Sequence, residues 1–471
     1  MATLCAVVSL RLLLVFWLPF SDPTEARYAE IARKMVETNN WITPQFDYGV
    51  PFWGKPPLHT WLSAAGMKLF GVGEFGARIL IFGSSLGILA ILFAFMARET
   101  DRTTALAATL ICATSIMFFG ASAFVMTDMP MVLGTTLSMV GFLIATIKQP
   151  GDQIWGHLFF VGLSIGMLAK GPTAVVLTGL PIVFWLAIGN RGRVLRHLPW
   201  RTGLLLGICL TLPWYITAEI QTPGFLRYFI VGEHIERFLV SGWQGDLYGS
   251  GHSQPKGTIW LFALSVFLPW TGFAVAQVFR PKQLLVDLSQ FHPATNMYLL
   301  LWTVGPMLLF TPAANILPAY VLPAVPAFSC LVAMLIVPRI KAGSRLMGYG
   351  FAGAVSVALL FFASLALLSR ASPETLGVTV TNPLIQEARR IAPRATISLY
   401  PKRIHSAEFY TGGKSSFLTT IDQLAILALS PKQDVVLVKN SSLEEAKSIL
   451  GKNFTQHSAN DQYTILLEAW R

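Results

Sequence analysis

Five short segments carry residues whose types and spacing could do chemistry. Ser21-Asp22-Pro23-Thr24-Glu25-Ala26-Arg27-Tyr28 gathers two carboxylates, a guanidinium and a phenol. A carboxylate beside an acceptor hydroxyl can take its proton, and a guanidinium matches phosphate oxygens. The plainer reading is a helix begun by Pro23 and capped by Asp22, with solvated pairs along it. In Tyr48-Gly49-Val50-Pro51-Phe52-Trp53-Gly54-Lys55-Pro56-Pro57-Leu58 the prolines hold the chain extended before a helix from Leu58. Lys55 is thereby held among aromatics, where it suits a lipid phosphate or serves as an interfacial anchor. Asp128 lies between two apolar runs, in Phe124-Val125-Met126-Thr127-Asp128-Met129-Pro130. An ionisable group at that boundary is a functional candidate; capping of the next helix is the alternative. Glu233, His234 and Arg237 fall on adjoining faces of one helix. A histidine beside carboxylates can bind metal or move a proton, although one histidine falls short of a closed metal site. Tyr320 follows Pro312 and Pro318 and precedes Pro323, prolines that kink a helix and can open a cavity.

The elements that must position these groups are membrane helices. The 471 residues are 54% hydrophobic and 13% charged, about half the charged share of a soluble domain. The apolar residues lie in runs of roughly 17–25, the length of a bilayer crossing. Lipid leaves no partner for an open backbone, so such runs become helices. About eleven are expected. The first ends near Phe20, and others lie near 77–97, 104–122, 129–147, 154–168, 172–188, 203–219, 258–279, 297–311, 316–337 and 346–368. Met1–Phe20 reads as a retained signal anchor, in which Arg11 faces protein or snorkels. The four cysteines, Cys5, Cys112, Cys209 and Cys330, lie inside apolar runs and read as small buried hydrophobes.

The loops give the runs a direction. Arg98–Arg102, Lys148, Asn190–Arg196, Arg280-Pro281-Lys282 and Arg339–Arg345 are strongly basic and therefore cytoplasmic. The alternate set holds two long loops, 21–76 and 221–257, mixed in charge and rich in aromatics. All the chemical segments above fall on this second, outer side. The net charge of +11 is thus a membrane signature, and no basic stripe interleaved with aromatics points to nucleic acid. In the first outer loop Tyr28, Ile31, Ala32 and Met35 form one apolar stripe, which predicts an amphipathic helix lying along the membrane surface. After residue 368 the charge rises. Strands are expected at Ala395–Tyr400, Asp434–Val438 and Tyr463–Leu467, and helices at Asn382–Ile391 and Leu443–Leu450. The fold expected is an all-α polytopic membrane unit, 1–368, followed by a small extracytoplasmic α/β domain, 369–471.

Seven motifs stand in a recognisable order: Glu25-Ala26-Arg27-Tyr28-Ala29-Glu30-Ile31-Ala32, Lys55-Pro56-Pro57-Leu58, Asp128 with Pro130, Ala169-Lys170-Gly171, Leu212-Pro213-Trp214, Glu233-His234-Ile235-Glu236-Arg237-Phe238 and Leu317-Pro318-Ala319-Tyr320-Val321-Leu322-Pro323. In this order the chain resembles the C-type membrane glycosyltransferases, above all the polyprenyl-phosphate aminoarabinose transferases that modify lipid A, and more distantly the protein mannosyltransferases. The resemblance implies a bacterial inner-membrane enzyme with its site and C-terminus in the periplasm. Its donor would be a polyprenyl (undecaprenyl) phosphate sugar, its acceptor a lipid, glycan or protein, and its course inversion. It also implies catalytic roles for Asp22, Glu25 and Asp128. Substrate binding would fall to Arg27, Tyr28, Lys55, Glu233, His234, Arg237 and Tyr320, and a divalent metal, where one is used, to His234. Thr24 and Gly54 stand where relatives carry Asp and a metal-binding Glu, and no Lys precedes Leu317-Pro318. Two other classes of function stay open: a transporter or flippase of lipid-linked sugars, which wants charged or broken helices at mid-membrane, and an assembly subunit, which has no need of the ordered motifs.

Overall fold

The computed structural model describes every residue except Ser250, 280–282, 285–286, 288, 373–374, 376–378, 431–432 and 470–471. The expected basic loop Arg280-Pro281-Lys282 lies outside the described residues. The chain is mostly helical, and every expected apolar run falls on helix. Among the described residues five helices are long and apolar enough to cross a membrane: Glu74–Glu99, Asp128–Lys148, Trp200–Gln221, Pro318–Lys341 and Arg345–Ala371. A sixth is reached if Thr258–Val266 and Thr271–Gln277, bent by 115°, count together. That bend corrects the straight run expected at 258–279. Pro269 stands in the break and supplies no backbone N–H to continue the ladder.

Burial orders the bundle. Asp128–Lys148 and Pro318–Lys341 are 83% and 89% buried and form its centre, whereas Trp200–Gln221 and Arg345–Ala371 are 22% buried and lie at its rim. Cys5 and Cys209 are exposed on outward helix faces, unlike Cys112 and Cys330, which are buried. Arg11 faces protein: its Nε donates to Ser122 Oγ at 3.0 Å and its Nη2 to the Gly120 carbonyl at 2.9 Å.

Two helices carry Glu25, Arg27, Tyr28 and Asp128, and a partner helix packs against each of them. Helix α2 (Thr24–Thr38) and helix α3 (Leu58–Phe70, starting where the prolines predict) form the first outer loop with strands β1 (Gln45–Asp47) and β2 (Val50–Pro51). Helices α7 (Asp128–Leu143) and α8 (Gln153–Lys170) pack almost backbone to backbone. A Cβ at Gly134 would stand 2.6 Å from the Gly162 carbonyl oxygen and 2.6 Å from the Gly166 nitrogen. Small residues permit that approach, as in other membrane helix pairs. Because the pair is antiparallel, it sets the start of α7 beside the end of α8.

Helix α2 is amphipathic but does not lie on the membrane with a wet polar face. Glu25, Glu30, Arg33 and Lys34 are all buried. The C-terminal helix His405–Tyr410 covers that face, and Lys34 Nζ meets Glu408 Oε1 at 2.6 Å. Buried charges persist only when paired, and here each is. The C-terminal stretch holds a five-stranded sheet of order β4-β3-β5-β7-β6. Strands β3 (Thr396–Tyr400), β5 (Asp434–Lys439) and β7 (Tyr463–Glu468) stand where alternation predicts them. The two edges, β4 (Ser416–Phe417) and β6 (Phe454–Ala459), are not anticipated: β4 has two residues and β6 is mostly exposed, so neither shows a hydrophobic pattern.

Candidate active site

The glycine-lined α7/α8 contact brings Asp128 to Lys170, with Oδ1 2.6 Å from Nζ. Lys170 in turn lies 4.8 Å from the ring centroid of Tyr320, which sits in a 3-10 turn, Pro318–Ala324, rather than the kinked α-helix expected. Pro318 and Pro323 bring no backbone N–H to an α ladder, and the tighter turn tolerates them.

The loop 221–257 supplies the opposite wall. Arg227–Glu236 is wound as a π-helix, a form common at functional sites. Its Glu233 is buried and meets three donors: Lys55 Nζ at 2.6 Å, Arg237 Nη1 at 3.2 Å and Tyr228 Oη at 3.2 Å. Burial alone would lower the Lys55 ammonium; the Glu233 carboxylate outweighs it and raises the group above its ordinary value. The same contacts overcome burial at Glu233 and hold its carboxyl below the usual range. Arg237 also meets Asp246 Oδ2 at 3.0 Å. Glu233 is therefore spent on positioning two cations.

These groups enclose one cavity of about 260 Å³. Arg27, Tyr28, Lys55, Asp128, Glu233, Arg237 and Tyr320, all singled out in the sequence, line it. A second, smaller cavity shares Lys55, Lys170, Glu233, Arg237 and Tyr320 with it and ends on Phe238 and Phe310. Four cations (Arg27, Lys55, Lys170, Arg237) face three carboxylates (Asp128, Glu233, Asp246), a surplus of one positive charge. Arg27 has no carboxylate partner among the described residues; its Nη1 donates to the Tyr248 carbonyl. The Nε atoms of Arg27 and Arg237 are buried without a hydrogen-bond partner among the described residues. Each such donor costs about 1–3 kcal/mol unless something accepts from it. The arrangement can hold a small anion with several oxygens, such as a phosphate, with an apolar exit beside it.

Three of the expected site residues lie elsewhere. Glu25 forms a bidentate pair with Arg78, at 2.7 and 2.8 Å, that locks α2 to the Glu74–Glu99 helix. Asp22 does not cap α2, whose N-cap is Pro23; it accepts from the Ser406 backbone N–H at 3.1 Å and from its hydroxyl. Both carboxylates are consumed by buried structural contacts and line no wall of the phosphate-sized cavity. His234 touches only the smaller cavity. Its Nδ1 lies 2.7 Å from the Phe229 carbonyl and its Nε2 3.2 Å from the Lys170 carbonyl. With both ring nitrogens against carbonyl oxygens, and Glu233 committed to cations, this donor set does not fit a divalent metal. Among the described residues no group of three or more His, Cys, Asp or Glu side chains is placed to hold one.

In the sequence Lys170 stands in one of the seven ordered motifs without an assigned role, and Asp246, Tyr248, His252 and His405 belong to none of them; all five line the cavity. Lys170 had a signal, a charge closing an apolar run one helix after Asp128. His405 had none, because it arrives from the C-terminal stretch.

Residues 3–229 match the family described as dolichyl-phosphate-mannose-protein mannosyltransferase. The chain is 28% identical over 417 residues, covering 87% of itself and 71% of the relative, to an undecaprenyl phosphate-alpha-4-amino-4-deoxy-L-arabinose arabinosyl transferase of Erwinia tasmaniensis. It is 30% identical over 324 residues to the protein of the same description from Edwardsiella ictaluri, and there spans 54% of the relative's length. Among solved structures it is similar to ArnT from Cupriavidus metallidurans bound to undecaprenyl phosphate, with a TM-score of 0.81 at 17% identity, covering 99% of this chain and 97% of that one. It is also similar to the Archaeoglobus fulgidus oligosaccharyltransferase in the apo form, with a TM-score of 0.51 at 10% identity, over 96% and 73% of the two chains. The motif order and the fold thus agree on one group of relatives.

Proposed function

We propose that this chain, a C-type membrane glycosyltransferase akin to the polyprenyl-phosphate aminoarabinose transferases and the protein mannosyltransferases, moves a sugar from a polyprenyl (undecaprenyl) phosphate to a lipid A-like, glycan or protein acceptor. The single observation that carries this reading is the cation-rich cavity, where four cations face three carboxylates, opening onto Phe238 and Phe310. It suits a phosphate whose lipid chain leaves along an apolar wall. The likeness to a solved relative described as bound to undecaprenyl phosphate supports the same donor.

The anomeric carbon's bond to the phosphate oxygen breaks as the acceptor oxygen bonds to that carbon from the opposite face, so the course is inversion. The departing polyprenyl phosphate keeps the electron pair, and Arg27, Lys55 and Arg237 balance its charge in a pocket poor in water. A hydroxyl acceptor gives its proton to Asp128, whose charge Lys170 holds in place. A phosphate acceptor needs no base, and Asp128 then orients the sugar. Asp22 and Glu25 take no part in these steps.

About eleven crossings are proposed, the shorter apolar helices Ala2–Trp17 and Pro172–Ile188 included. The basic loops face the cytoplasm, and the cavity and a C-terminal α/β domain (369–471) face the periplasm of a bacterial inner membrane. Purified protein supplied with undecaprenyl-phosphate sugar and membrane acceptors should transfer the sugar. Full transfer by Asp128→Asn and Lys55→Ala variants would remove the site.

A further inference from the structure

On the outer face, between the end of α2 and the end of helix Trp200–Gln221, runs an open groove of about 700 Å³. None of its lining residues is ionisable, in a chain with 35 Lys and Arg. Its walls are carboxamides, hydroxyls and one indole, with Ile42, Gly49 and Pro51 between them. Three carboxamides share a feature. Asn39 Oδ1 accepts from Trp41 Nε1 at 2.9 Å. Asn40 Oδ1 accepts from the backbone N–H of Ile42 at 3.2 Å and of Thr43 at 3.1 Å. Gln221 Oε1 accepts from Thr43 Oγ1 at 2.9 Å.

Each oxygen is thus tied down internally, which fixes the amide's orientation. No nitrogen of the three donates within the described residues, so three NH2 groups are left to a ligand. Prearranged donors bind at low entropic cost. Oxygen-rich, uncharged ligands accept from NH2 groups, and the C–H faces of a sugar pack on an indole such as Trp41. Lys68, outside the lining, stands 5.7 Å from that ring's centroid. A phosphorylated ligand would find no counter-charge here, and a lipid chain would find too much polar wall.

The groove adjoins the charged cavity through one short stretch of chain. Pro51 lines the groove, while Phe52, Gly54 and Lys55 line the cavity. Between them Trp53 donates its backbone N–H to Tyr248 Oη at 2.9 Å, in the cavity wall, and its Nε1 to Thr222 Oγ1 at 3.0 Å, in the groove. We infer that the groove seats an uncharged saccharide, the acceptor, whose end reaches the Lys55 cavity. This rests on the glycosyltransferase reading and narrows its acceptor to a neutral glycan.

The test exposes full-length protein in lipid nanodiscs to an array of neutral oligosaccharides printed beside phosphorylated oligosaccharides and peptides. Retention of a neutral glycan is expected, weakened at least tenfold by Asn40→Asp and by Gln221→Glu. Both substitutions keep the oxygen that accepts internally and exchange the outward NH2 for a carboxylate oxygen. An unchanged melting temperature certifies their folding. Retention of no neutral glycan, retention indifferent to both substitutions, or retention of phosphorylated glycans or peptides alone overturns the inference. Undecaprenyl phosphate binding to the unsubstituted protein is measured in parallel. Lipid bound with no glycan retained sinks the groove alone; no lipid bound sinks the reading of the cavity.

Discussion

Glu25 and Lys55 belong to the same loop, 21–76, and each sits in an ion pair, yet their surroundings give them different work. Glu25 is 2% exposed and Arg78 4%; the bidentate pair joins two helices, and the space of about 290 Å³ that it borders is not the cation-rich cavity. Removing one charge strands the other in a dry interior, which costs about 3–5 kcal/mol. Glu25→Gln should therefore lower the melting temperature in detergent, with little loss of transfer per folded molecule. Lys55 faces a cavity, and its partner Glu233 is shared with Arg237 and Tyr228. Lys55→Ala should keep the fold but reduce kcat/KM by roughly 10²–10³, the scale of losing one charge-stabilising donor. Steady-state kinetics with undecaprenyl-phosphate sugar measures it. The residue types of both pairs are plain in the sequence; which pair faces the cation-rich cavity is not, because that depends on neighbours far along the chain.

At the scale of elements, α2 is the part most changed by its context. Its apolar stripe is legible, but its polar face is paired with the helix His405–Tyr410 across 374 positions of sequence. Burial pushes the Glu408 carboxyl up, but His405, Lys34 and Arg403 reverse this and bring it down to about 2 from an ordinary 4.5. A carboxyl depressed on folding contributes stability above its unfolded pKa and loses it as pH falls toward the folded one. The docking of the C-terminal helix on α2 should accordingly be intact above about pH 4.5 and weaken down to about pH 2, a span worth on the order of 3 kcal/mol. Limited proteolysis between the Arg345–Ala371 helix and β3, followed against pH, reports the loosening. Glu408→Gln should shift the cleavage to neutral pH, and a profile flat from pH 7 to pH 3 would contradict the assignment.

At the scale of the molecule, one end of the bundle carries the cavity, the groove and the C-terminal sheet, and the other carries the basic loops. Single cysteines in a cysteine-free background test how this body sits in the membrane. In intact cells with a permeabilised outer membrane, Lys452→Cys should react with a membrane-impermeant maleimide, and Arg193→Cys only after lysis. Equal labelling of both would remove the orientation.

The sequence by itself determined the helical membrane character, the starts of α3 and of the Asn382–Ile391 helix, and seven of the residues that line the cavity. Those properties are local: run length, proline placement and motif order depend on residues near one another in the chain. Only the tertiary structure decided that Glu25 and Asp22 bind the protein to itself, that Lys170 stands with Asp128, and that His405 reaches the cavity from the C-terminal stretch. Charge partners are chosen by proximity in space. Here that proximity is set by the glycine contact of α7 with α8, whose glycines recur at helical spacing without naming the partner helix, and by the helix His405–Tyr410 seated on α2, which leaves no periodic signal in the chain.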